Sequence, residues 1–154
     1  AIETLVRHIH MPTASWAAER AQSMLYIGRC FEALGDDWEA AQWYIRAVGE
    51  DTTRREARYA LARLKYRTQD WRACLDWARR TLEVTERDLS YMTEPEAWGA
   101  EPYDLAAIAC WHLRRLEDAE NYAETALYHA PEDARLQNNL RLIREAMSDG
   151  SRAD

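Results

Sequence analysis

The chain has 154 residues, of which 47% are hydrophobic and only five are glycine and four proline, and its net charge is −7. This length suits one domain with a substantial core, and so few glycines and prolines indicate a mainly helical chain. The negative charge argues against nonspecific binding to nucleic acid, and no apolar run approaches the roughly 20 residues that span a bilayer. Because no signal peptide is recognisable either, we expect a cytoplasmic protein.

Residues 1–14 are predicted to form a short β-strand and a connecting segment ahead of the helical part. On such a strand His8 and His10 would lie on the same side. Two histidines without a neighbouring carboxylate are a weak pattern for a metal site. We therefore predict no metal site here.

Small residues then recur at a fixed period. Ala40, Cys74 and Ala119 form one series, with spacings of 34 and 45 residues. A second series with the same spacings consists of Gly28, Ala62 and Ala107. The longer spacing places an insertion of 11 residues between the second and third units, at about residues 86–100. Small residues in register predict close helix crossings, with Gly28, Ala62 and Ala107 facing Ala40, Cys74 and Ala119.

Each unit is predicted to be two amphipathic helices joined by a short turn. The turns are expected at residues 35–37, 69–70 and 114–115. After Pro131, one more amphipathic helix is predicted to carry Leu136, Leu140, Ile143 and Met147 on one face, where it would cap the last unit. Residues 148–154 are predicted to be a disordered tail.

A loop as long as the insertion is uncommon unless it has a role. We therefore expect Tyr91, Met92 and Trp98 to fold back onto the helices. The three cysteines, Cys30, Cys74 and Cys110, lack metal-ligand spacing and are interpreted as small core residues.

The repeat resembles the tetratricopeptide repeat (TPR). The resemblance is carried by Ile27-Gly28, Ala40, Tyr44 and Ala47 in the first unit, and by Ala106-Ala107, Ala119, Ala123, Ala126 and Pro131 in the third. It implies an all-α, right-handed superhelix of about three repeats with a capping helix, over residues 15–147.

A more particular resemblance concerns the TPR region that follows the catalytic domain in bacterial family 2 glycosyltransferases. It is carried by Trp98-Gly99, Pro102-Tyr103-Asp104, Pro131, Arg135-Leu136 and Asn139. It implies that residues 1–14 are the end of a missing catalytic domain. The chain itself has neither an Asp-x-Asp motif nor a Gln-x-x-Arg-Trp segment, so we predict that it is not an enzyme and binds no cofactor.

The TPR resemblance implies that the first helix of each unit lines a concave groove that holds extended peptides. The candidate ligand-binding residues are Arg29, Tyr59, Arg63, Tyr66, Arg67, Trp111 and His112. Arginines bind carboxylates through paired hydrogen bonds, and aromatic rings stack on ligand rings. The alternative is that these arginines pair with Glu32, Glu56 and Asp104 and that the groove holds no ligand.

Charge is unevenly distributed. Residues 54–82 have nine basic and three acidic side chains, whereas residues 83–133 have three basic and 13 acidic ones. A basic groove suits an acidic peptide, or the acidic third repeat of a second copy in a homodimer. Two functions stay open: a noncatalytic protein-binding scaffold within a glycosyltransferase-like protein, or an accessory domain that holds a glycan or acceptor substrate.

Overall fold

The structure is a computed structural model that describes residues 1–87, 90 and 92–150. Within these ranges it contains nine α-helices and no β-strand, which confirms the all-α prediction. None of the described helices is both long and apolar enough to cross a membrane. The helices are α1 (Ile2–Ile9), α2 (Ala17–Ala33), α3 (Asp37–Glu50), α4 (Glu56–Arg67), α5 (Trp71–Leu82), α6 (Pro95–Trp98), α7 (Glu101–His112), α8 (Leu116–His129) and α9 (Ala134–Gly150).

The predicted N-terminal strand is wrong, because this segment is the helix α1. Its apolar residues fall at positions i, i+3, i+4 and i+7, which is a helical stripe: Ile2, Leu5, Val6 and Ile9. The helix packs on α2, where His8 Nδ1 lies 2.8 Å from Ser23 Oγ. His8 and His10 therefore do not share one side of a strand.

Helices α2 and α3, α4 and α5, and α7 and α8 form three helix-turn-helix units, as predicted. Each turn contains one residue with a left-handed backbone: Gly35 (φ 79°), Gln69 (φ 58°) and Arg114 (φ 60°). In each turn the residue after the left-handed one donates its backbone N–H to the carbonyl of the residue five positions before it, at N···O distances of 2.9 to 3.0 Å. This is the hydrogen bond of a Schellman motif, so the same helix ending occurs three times.

The small residues lie inside the stack. Ala40, Cys74 and Ala119 have no exposed surface. The side chain nearest to Gly28 is that of Tyr44, one turn after Ala40 on α3. A Cβ at position 28 would lie 2.4 Å from Cε1 of Tyr44, which leaves room only for glycine.

The predicted capping helix is present as α9. Leu136, Leu140 and Ile143 are buried against the third repeat. The helix continues to Gly150, so residues 148–150 of the predicted tail are helical. Residues 151–154 lie outside the described part of the chain.

Candidate functional site

Helices α2, α4 and α7, with Tyr44 of α3 and the start of α9, line a groove. It consists of two adjoining pockets of about 380 Å³ and about 470 Å³, which share Glu32, Tyr59, Arg63 and Arg67. Arg29 and Tyr44 belong to the first pocket, whereas Tyr66, Asp104 and Arg135 belong to the second. "The groove" below means these two pockets.

Five of the seven candidate residues lie in the groove: Arg29, Tyr59, Arg63, Tyr66 and Arg67. Trp111 instead lines a separate pocket of about 220 Å³ between α7 and α9. His112 stacks on Trp71, with ring centroids 3.8 Å apart and planes 5° from parallel. The last turn of α7 therefore presents its aromatic residues to α5 and α9.

Of the three groove arginines on α2 and α4, two have carboxylate partners. Arg29 Nη2 donates to Glu94 Oε2 at 2.5 Å. Burial alone would lower the pKa of Arg29, but its hydrogen bond and charge attraction to Glu94 outweigh burial, so the pKa is raised. Arg67 pairs with Asp37 and, at 3.5 Å, with Glu32. The alternative of internal pairing thus holds for Arg67 and Glu32.

Arg63 differs from these two. It is exposed, and no carboxylate of the described residues lies within ion-pair distance of it. Its guanidinium carbon lies 5.8 Å from the ring centroid of Tyr59, a cation–π contact. Burial raises the pKa of Tyr59 to about 12, which Arg63 opposes, so this ring stays neutral. Arg63 is therefore the groove arginine that no carboxylate of the described residues pairs with, and its donors face a ligand without a charged competitor.

At the other end of the groove, Asp104 joins α7 to the capping helix. It accepts hydrogen bonds from Arg135 Nη1 at 2.6 Å and from Asn139 Nδ2 at 3.2 Å. The hydrogen bond with Asp104 raises the pKa of Arg135. Asp104 consequently pairs with α9 and not with the arginines of α4. The Pro-Tyr-Asp and Arg-Leu-x-x-Asn sequences meet here in one hydrogen-bonded network.

Glu56 is one of the three carboxylates named above as alternative partners of the groove arginines, but it lies beneath the insertion with only 2% of its surface exposed. Its Oε1 accepts hydrogen bonds from the backbone N–H of Glu94 at 3.2 Å and from Nε1 of Trp98 at 3.1 Å. Its Oε2 lies 3.5 Å from Nε of Arg54. Glu56 therefore holds the insertion against the start of α4.

The insertion folds back as expected, with Met92 buried and Trp98 partly buried, while Tyr91 lies outside the described residues. Two buried arginines also hold it. Arg54 Nη2 donates to the carbonyl of Met92 at 2.7 Å, and the Arg55 guanidinium lies 4.3 Å from the Trp98 ring centroid. Sequence reasoning missed both arginines, because two adjacent arginines before a helix follow no periodic pattern.

Among the described residues, no three His, Cys, Asp or Glu side chains come together as metal ligands. All three cysteines are free thiols. Cys74 and Cys110 are buried as predicted, whereas Cys30 is partly exposed.

No protein-family model and no curated protein matches the sequence. Solved structures do match. The first TPR domain of Spaghetti (RPAP3) bound to the HSP90 peptide SRMEEVD has a TM-score of 0.70 at 19% identity, covering 85% of this chain and 98% of that one. MamA has a TM-score of 0.73 at 17% identity, covering 96% and 77%. YrrB, a TPR protein with an unusual peptide-binding site, has a TM-score of 0.74 at 13% identity, covering 97% and 70%.

These likenesses concern the fold, and they agree with the helix pairs, the repeated turns and the buried small residues described above. The chain has the tetratricopeptide-repeat fold, an all-helical superhelix of three repeats closed by a capping helix.

Proposed function

We propose that the chain is a noncatalytic scaffold that binds an acidic protein segment in the groove. The observation that carries this proposal is Arg63, a groove arginine with no carboxylate partner among the described residues, next to Tyr59. Its two outer nitrogens match the two oxygens of a carboxylate. Two of the similar solved structures are described by their peptide complex or peptide site, which supports a peptide as the ligand.

The other candidate residues take different parts in this proposal. Tyr66, exposed at the edge of the groove, offers a ring on which a ligand side chain stacks. Arg29 and Arg67 already pair with Glu94 and Asp37, so a ligand carboxylate competes with these partners for them. Trp111 and His112 lie outside the groove, so a ligand reaches them only by extending past Ile108, which borders the pocket of Trp111.

We place this scaffold within a larger, glycosyltransferase-like bacterial protein in the cytoplasm. The support is the resemblance carried by the Pro-Tyr-Asp and Arg-Leu-x-x-Asn sequences. In these sequences Asp104 accepts hydrogen bonds from Arg135 and Asn139, and these bonds attach the capping helix. The spacing of the three residues therefore has a structural reason. Three free cysteines suit a reducing compartment.

A peptide-binding measurement tests the proposed function. Labelled tetraglutamate with a free carboxyl end should bind, whereas tetraglutamine and a neutral oligosaccharide should bind much more weakly. Arg63→Ala should weaken tetraglutamate binding by roughly tenfold, because a charge-assisted hydrogen bond is lost. Arg72→Ala is the matched control, since it removes the same charge from an exposed position on α5 outside the groove.

Two results would replace this function by an alternative. Tighter binding of the oligosaccharide than of tetraglutamate would indicate an accessory domain that holds a glycan or acceptor. A dimer at low salt that dissociates at high salt, and that Arg63→Ala abolishes, would indicate that the acidic third repeat of a second copy fills the groove. Sedimentation at the two salt concentrations measures this.

A further inference from the structure

We propose that the insertion segment 92–98 is an in-chain ligand that lies along the α2 edge of the groove and, through Glu94, keeps external acidic side chains away from Arg29. The proposal rests on the proposed function, because it specifies which part of the groove an acidic peptide reaches. Glu94 is the residue that restricts access to Arg29, because it already pairs with that arginine.

The segment lies beside the groove and supplies one of its ion pairs. Glu94 reaches Arg29, which lines the first groove pocket together with Arg63 and Arg67. On its other side the segment borders a pocket of about 410 Å³, where Met92 and Glu94 face Tyr26 and residues of α1. The segment thus separates this pocket from the groove.

The protein holds the part of this segment that precedes α6 as a groove holds an extended peptide. Backbone groups are recognised at Glu94, whose N–H donates to Glu56, and at Met92, whose carbonyl accepts from Arg54. Glu94 has extended backbone angles, φ −93° and ψ 119°. Its acidic side chain binds Arg29, and the neighbouring apolar side chain of Met92 is buried. Backbone hydrogen bonds, a carboxylate–arginine pair and a buried apolar side chain are the features by which extended peptides are recognised.

The contacts of the segment differ in how easily a ligand can replace them. Those of Glu56 and Arg54 are buried, so breaking them leaves polar groups without water. The Arg29–Glu94 pair is partly exposed, with 36% and 21% of the two side chains accessible. A carboxylate of an external peptide can therefore compete with Glu94 for Arg29 while the rest of the segment stays in place. A short peptide at Arg63 would not meet this competition.

Two peptide lengths test the proposal on the full chain. The probes are labelled tetraglutamate and octaglutamate, and the variant is Glu94→Ala. We expect Glu94→Ala to tighten octaglutamate binding about fivefold, the usual upper value for a partly exposed pair, and to leave tetraglutamate binding unchanged. The added variant Arg29→Ala should remove the gain. Glu96→Ala is the matched control, because it removes the same charge from an exposed position in the same segment.

Equal tightening by Glu94→Ala and Glu96→Ala would overturn the proposal, since only the net charge would then matter. Hydrogen exchange of the Glu94 and Ala97 amides gives a readout without peptide. Exchange at both positions should be the same in Glu94→Ala and Glu96→Ala, because Glu56 and Arg54 keep the segment in place. If neither peptide binds any variant, the proposed function is wrong, whereas octaglutamate binding that Glu94→Ala leaves unchanged would by itself reject the role of Glu94.

Discussion

Gly28 and Tyr44 form a size-matched pair in the first repeat, where the tyrosine ring fills the space that a methyl group on residue 28 would need. At the corresponding positions of the later repeats both partners are alanine: Ala62 with Ala78, and Ala107 with Ala123. The Tyr44 hydroxyl donates to Glu32 at 2.5 Å, which fixes the ring in place. One large side chain in the first repeat thus takes the place of a small one in the others.

Gly28→Ala should therefore destabilise the protein by about 1–3 kcal/mol through overpacking, although alanine is the better helix former. Gly49→Ala is the control, because a methyl group there would contact nothing within 4 Å, and it should stabilise by up to about 1 kcal/mol. Urea unfolding of both variants measures the difference. In a Tyr44→Ala background the penalty at residue 28 should vanish, and its persistence would refute the pairing.

Arg114→Gly should stabilise the protein by about 0.5–1 kcal/mol. Arg114 has a φ of 60°, a left-handed conformation that costs a residue with a side chain about 1–2 kcal/mol and that glycine adopts freely. The gain is reduced by the greater freedom of glycine in the unfolded chain. Arg114→Ala keeps the strain and should change the melting temperature little. Equal stability of Arg114→Gly and Arg114→Ala would show that the backbone strain is unimportant.

Glu56→Gln should loosen the insertion and lower stability by about 1–3 kcal/mol, the usual cost of disrupting a buried hydrogen-bonded group. The amide would direct an N–H₂ group either at Arg54 or at the donors of Glu94 and Trp98. The measurements are the unfolding free energy and the hydrogen exchange of the Trp98 indole. Glu96→Gln, an exposed change in the same segment, should alter neither, and similar behaviour of the two variants would contradict the anchoring role.

Stability should fall at alkaline pH, in part because of Cys74. Burial raises the pKa of this thiol to about 12, whereas an unfolded cysteine ionises at about 8.5. Above the lower value unfolding releases a proton, so rising pH favours the unfolded chain until the folded pKa is passed. Cys74→Ala copies the residue found at positions 40 and 119. From about pH 8 to about pH 10.5 the variant should lose about 1–3 kcal/mol less than the parent, and equal losses would exclude the thiol as a cause.

The fold could be predicted because its determinants are periodic in the sequence. Ala40, Cys74 and Ala119 mark where helices cross, and the turns follow from residues that end helices. The prediction for the N-terminal segment was wrong because its stripe of apolar residues is only eight residues long, and so short a run does not distinguish a helix from a strand. Packing on α2 stabilises the helical conformation of α1.

The candidate site could be predicted where it lies on one helix. Tyr59, Arg63, Tyr66 and Arg67 share a face of α4, and a period of 3.6 residues suffices to group them. The partner of Arg29 could not be predicted, since Glu94 lies 65 residues further along the chain in a segment without periodicity. The surroundings of Glu56 could not be predicted for the same reason, because helix periodicity does not reveal which segment covers the first turn of α4.

The insertion also changes how the repeats depend on one another. In a simple repeat array each unit contacts only its neighbours, and the ends can fray independently. Here one segment immediately before the third repeat is bonded to Arg29 in the first and to Glu56 in the second. Loss of this segment together with the third repeat would withdraw a partner from the first repeat, and this cross-link favours a single cooperative unfolding transition over stepwise melting from the ends.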